Sequence, residues 1–290
     1  MKTILVATDF SPAAGNALLY AVKMARYLDA KVVLYHAYMS ENYVPDLVLM
    51  PAAGNLQEEN LTLMRNQVTS FEFLDPAKIE MICEPGIPAE SILNAASQLN
   101  ADWIVAGMKR TGLTFRKVFG STALNLSRQS LIPLIIVPED CIFQGVRSIA
   151  LASDLTIENN LSMLNPLISF VEEFTARLYV VNVRRQSTDE IDAKAYTALN
   201  IKWSLEELMP KFKFLDDENV SESLNNYIDK NSIDMLALVA HDHSILERFF
   251  VKSTIKKMMF KGKVPLMILP DKKQAGIQQE PAYINKNLVS

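Results

Sequence analysis

Short apolar runs alternate with helix-length amphipathic stretches along the chain. Residues 3–8 (TILVAT), 103–106 and 134–137 are apolar runs rather than alternating ones, and 31–36 and 78–83 are largely apolar. Runs of that kind predict strands buried on both faces, as in a parallel sheet covered by helices. Between them, Ser11 reads as an N-cap with Pro12 at the first helical position. Ala17, Ala21, Met24, Ala25 and Leu28 then form one apolar stripe. Residues 37–55 form a long excursion broken by Pro45, Pro51 and Gly54. A polar helix over 56–74, a turn at Pro85-Gly86 and a helix over 89–99 complete the pattern.

From Val146 the pattern starts again. VRSIALASDLT repeats the N-terminal MKTILVATDFS, with Ile149, Ala152 and Asp154 at the positions of Ile4, Ala7 and Asp9. Residues 176–183 (ARLYVVNV) repeat 30–37 (AKVVLYHA) with one residue inserted. Residues 234–270 align with 102–138 without a gap, and Ser121/Ser253, Thr122/Thr254, Pro133/Pro265 and Pro138/Pro270 are among the identities. This self-similarity predicts an α/β protein made of two tandem copies of one fold, residues 1–141 and 146–270, joined through 139–145. Residues 271–290 are polar with little periodicity and read as a tail.

The chemistry concentrates after the fourth apolar run. Gly107, Lys109, Arg110, Gly112, Arg116 and Lys117 make a glycine-containing basic loop, and Gly120-Ser121-Thr122 opens a helix. Strand, glycine loop and helix start together suit a phosphate: glycine admits an anion close to the backbone, and the first-turn N–H groups point at it. The second copy has lost this set. Gly107 becomes Val239, Arg110 becomes Asp242, Gly112 becomes Ser244 and Gly120 becomes Lys252. Ser121 and Thr122 persist there, which favours helix capping in both copies with phosphate contact added in the first. Asp9 and Asp154 each stand between a strand and a helix; Asp9 reads either as a turn carboxylate or as a ligand contact, and Asp154 as a turn carboxylate.

The loop resembles the nucleotide loop of the universal stress protein family, Gly-x2-Gly-x9-Gly-Ser/Thr. Gly107, Gly120 and Ser121 fall on it, while Arg110 occupies the middle glycine position. With ATDFS and AKVVLYHA, the resemblance extends over residues 1–270. It implies two open sheets of five parallel strands in the order 3-2-1-4-5, adenine nucleotide alpha hydrolase-like and Rossmann-like, with helices on both faces. It implies ATP or AMP in the first copy, with Mg accompanying the nucleotide. Asp9 would face the nucleoside, the backbone of Ala37 would contact adenine, and Gly107, Gly120, Ser121 and Thr122 would hold phosphate. Arg110 either blocks the pocket or grips an anion in a bidentate way. The resemblance further implies that 134–137 and 266–269 pair as an intrachain pseudo-dimer, leaving room for a homodimer beyond it. The role implied is regulatory, in a stress response read by protein partners. The alternative is a nucleotide-free interaction protein with both sites closed.

Composition narrows the classes. At 290 residues and 49% hydrophobic, the chain can bury two cores. A net charge of −4 gives no footprint for nucleic acid, and no apolar run approaches the ~20 residues of a membrane span. A cytoplasmic protein is the expectation. Two cysteines, Cys83 and Cys141, do not make a disulfide framework. His241-Asp242-His243 invites a metal reading, but a surface loop is the better account, with no further histidine nearby. No motif places a nucleophile beside a base, so catalytic residues are not assigned and ATP turnover is expected to be slow at most.

Overall fold

The computed structural model describes residues 1–39, 56–72, 74–109, 121–153, 161–184, 201–216, 220–240 and 264–270. The first half runs β1 (Lys2–Ala7), α1 (Pro12–Leu28), β2 (Ala30–Tyr38), α2 (Leu56–Thr69), β3 (Ile79–Pro85), α3 (Pro88–Gln98), β4 (Trp103–Met108), α4 (Ser121–Gln129) and β5 (Leu134–Pro138). The second half supplies β6 (Ser148–Ala152), α5 (Asn165–Phe174), β7 (Arg177–Arg184), β8 (Lys211–Asp216), α6 (Val220–Lys230), β9 (Met235–Ala240) and β10 (Leu266–Pro270).

The ten strands among the described residues form one sheet in the order β3-β2-β1-β4-β5-β10-β9-β6-β7-β8. Each half has the 3-2-1-4-5 order and is parallel throughout. The halves meet antiparallel, Leu266 against Ile136, Met267 against Ile135 and Ile268 against Leu134. The pseudo-dimer pairing expected of the two last strands is therefore present. β5, β6 and β10 are buried along their whole length, as their continuous apolar runs require.

Local chemistry sets the elements. Ser11 is extended and its Oγ accepts from Ala14 N, which starts α1 ahead of Pro12; Asp29, at φ 47°, ends it. Helix α2 stops at Thr69, five residues short of the sequence expectation. There the hydroxyls of Thr69 and Ser70 bond back to the Arg65 and Gln67 carbonyls, and Pro76 opens a 3-10 turn soon after.

The duplication is visible bond by bond. Asp102 Oδ2 accepts from Thr3 N at 2.8 Å; Asp234 Oδ2 accepts from Ser148 N at 3.0 Å. Asn100 (φ 48°) and Ser232 (φ 49°) turn the chain left-handed at equivalent helix ends, as do Asp29 and Thr175. These polar and backbone devices hold strand ends together, so they persist where apolar residues have drifted.

One core lies between the sheet and α1, α2 and α5, the other between the sheet and α3, α4 and α6, and both run across the two halves. The join is part of the first. Cys141, Phe143 and Val146 are buried. The Phe143 ring sits 4.9 Å from Tyr20 and 5.6 Å from Tyr27 in the first half, and 6.2 Å from Phe174 in the second. Trp103 meets Phe170 edge-on at 5.1 Å, and Lys2 pairs with Glu173. The segment between the copies thus works as a packed wedge.

Truncating that wedge, Phe143→Ala, is expected to cost about 3–5 kcal/mol in urea unfolding, through lost aromatic burial and a cavity between the halves. Burial, then Asp140 and Asp234, push the Cys141 thiol up to about 11; burial, then Glu84, push Cys83 up to about 11. From pH 9, the ordinary thiol value, to pH 11 the native state binds more protons than the unfolded chain. Stability therefore falls across that window. Urea midpoints measured from pH 8 to 11 should show this fall, reduced in a Cys83→Ala/Cys141→Ala variant.

Candidate functional site

In an open parallel sheet the crevice lies at the carboxyl ends of the strands where the connections diverge to opposite sides. Here that point is between β1 and β4. β1 leads through α1 to β2 on one side, and β4 lies on the other, with Ala7 level with Ala106. Three sequence-predicted site residues converge there: Asp9 just past β1, Ala37 near the end of β2, and Gly107 near the end of β4.

The β1–α1 turn is tightly built. Thr8 N donates to the Tyr35 carbonyl at 2.9 Å. The Thr8 hydroxyl donates to Gln67 Oε1 at 2.8 Å and accepts from Phe10 N at 3.0 Å. Phe10 is left-handed at φ 62°, and its ring lies 4.4 Å from that of His36. His36 Nδ1 is 2.8 Å from the Thr8 carbonyl. A carbonyl only accepts, so Nδ1 carries the proton and donates. Asp9 is exposed, and its Oδ1 accepts from Ser11 N at 3.0 Å. The turn-forming role read for Asp9 is therefore observed, with the carboxylate at the crevice mouth.

Gly107 needs a different reason from the one the loop suggests. A Cβ there would overlap the Ala13 carbonyl and lie 2.7 Å from Ala14 N. The missing side chain lets the first turn of α1 press against β4; that space is filled by helix backbone and is closed to an anion. Neighbouring Ala106 and Met108 belong to the opposite face, with Ala7, Tyr35 and Ala37. In the second half Val239 is buried at this position.

Ser121 is exposed and is the first residue of α4, with Thr122 half-buried behind it. Arg110, Gly112, Arg116, Lys117 and Gly120 lie outside the described residues, as do Asp154, His241, His243, the excursion from residue 40 to 55 and the tail. Among the described residues no group of three His, Cys, Asp or Glu side chains converges as metal ligands. No described helix is long and apolar enough to cross a membrane.

Sequence reasoning missed the Thr8–His36–Gln67 network. A signal was available: the position of His36 is Asn182 in the second copy, polar in an apolar strand both times. Asn182 is buried, and its Nδ2 donates to the Ser153 carbonyl at 2.8 Å, the same bond to the same carbonyl.

A family model described as the universal stress protein family matches residues 1–138. The stress response protein NhaX of Bacillus subtilis is 30% identical over 160 residues, covering 46% of this chain and 96% of that protein. The chain belongs to the universal stress protein family. A universal stress protein of Methanocaldococcus jannaschii is also 30% identical, over 144 residues, 47% of this chain and 81% of that one. The crystal structure of a universal stress protein from Archaeoglobus fulgidus superposes with a TM-score of 0.66 at 14% identity, over 92% of this chain and 98% of that one. A functionally unknown protein of Pseudomonas aeruginosa superposes at 0.58 and 10% identity, over 94% of each chain. At such identities the likeness is one of fold, and it spans both halves of this family member.

Because the collision at Gly107 is with backbone, Gly107→Ala must push α1 off β4. A loss of about 1–3 kcal/mol in urea unfolding is expected, and an unchanged midpoint would remove the packing account.

Proposed function

We propose that the first half, residues 1–141, binds an adenine nucleotide, ATP or AMP, in the crevice between β1 and β4. The observation that carries this is the convergence of an exposed Asp9, Ala37 and the end of β4 at the switch point of a universal stress protein fold. Family membership supports the same reading. Asp9 is assigned to the nucleoside and the backbone of Ala37 to adenine. Ser121 and Thr122, with Gly120, the backbone of Gly107 and Arg110, are assigned to phosphate, together with any Mg the nucleotide brings. The second half, residues 146–270, keeps the fold and has lost the nucleotide. Occupancy of the first half is read by protein partners in a cytoplasmic stress response, and ATP turnover is at most slow.

A second reading, a nucleotide-free interaction protein, draws on Gly107. Its bare Cα is used by α1, so that glycine serves the fold whether or not a phosphate binds. Isothermal titration of the full chain with ATP and with AMP separates the two. Heat with either ligand, lost in Gly120→Lys, supports the first. No heat with either leaves the second.

A further inference from the structure

A side-chain relay lies behind Glu84. Tyr35 is fully buried on β2, yet its phenol donates to Glu84 Oε2 at 2.9 Å. The Ser91 hydroxyl, on α3, bonds the same phenol. A Cβ on Gly86 would collide with Ser91 Oγ, so this glycine leaves the room that the hydroxyl occupies. A buried phenol needs a partner, and Ser91 alone could supply one. The arrangement instead aims a buried ring at an exposed carboxylate and holds it in one orientation. Glu84 is level with Ala37 in the β2–β3 register, so the two side chains share a face of the sheet with Tyr35.

Charge divides the crevice into two ends. The β4 side carries Lys109 and the start of α4, which favour phosphate. The β1–β3 side carries Asp9 and Glu84, which repel it. A nucleotide lying across the switch point must therefore place its base toward Glu84. A carboxylate can accept more hydrogen bonds than the one Tyr35 makes and donates none when ionised. It accepts from the 6-amino group of adenine and repels the 6-oxygen of hypoxanthine or guanine.

Building on the nucleotide reading above, we propose that Glu84, oriented by Tyr35 and Ser91, is the residue that selects a 6-amino purine over a 6-oxo purine. The selection is electrostatic and sits on β3, a strand to which the glycine loop does not belong.

The test is titration of the full chain with ATP and with ITP, in wild type and in Glu84→Gln and Tyr35→Phe. Wild type should prefer ATP by about tenfold or more, the discrimination of a charge-assisted bond against a repelled oxygen. Gln donates as well as accepts, so Glu84→Gln should bring the two ligands within about threefold, mainly by weakening ATP. Tyr35→Phe keeps the carboxylate but frees it, and should narrow the preference without abolishing binding. Glu84 is exposed, so its variant tests the site even if Tyr35→Phe fails to fold. Equal binding of ATP and ITP by wild type, or an unchanged preference in Glu84→Gln, overturns the inference and leaves the nucleotide reading intact. Binding of neither ligand by wild type overturns both.

Discussion

The antiparallel contact of β5 with β10 is the constraint on which the molecule depends. Each half alone would end in an apolar strand with a row of unpaired N–H and C=O groups. Setting the two ends against each other satisfies those groups and turns two five-stranded sheets into one of ten strands. It also fixes polarity. Strands on either side of the contact run in opposite directions, so the carboxyl-end crevices of the two halves open at opposite edges of the sheet. The halves can share a core while their carboxyl-end crevices stay apart, and one crevice can change without touching the other.

That separation makes sense of which equivalent residues agree between the halves and which do not. Asp102 and Asp234, or His36 and Asn182, tie one strand end to the next, and their bonds recur with nearly the same length. The crevice positions differ. Gly107 stands where the second half has a buried Val239, and the glycine is what allows α1 to approach β4.

The aromatic wedge is the second holding device. Phe143 would be an ordinary linker residue in a chain of independent domains. Packed among Tyr20, Tyr27 and Phe174, it places the segment between the copies under the same helices that cover the sheet. The rings that bury area thus also hold the two halves together.

Much of this was legible in the residues themselves. Strand identity and the parallel class followed from continuous apolar runs, because only a strand covered on both faces can be apolar on both parities. The duplication followed from matched positions, and the candidate crevice from glycine and hydroxyl spacing after β4. What the chain order could not decide was any interaction between residues far apart in sequence with no shared pattern. The collision that makes Gly107 necessary involves Ala13, the carboxylate behind Ala37 is Glu84, and the ring that orients that carboxylate is Tyr35. Each belongs to a different strand or helix. Local propensity and periodicity report what a segment does with its own backbone; only the stacking of β3, β2, β1 and β4 in space determined which of those segments would face one another.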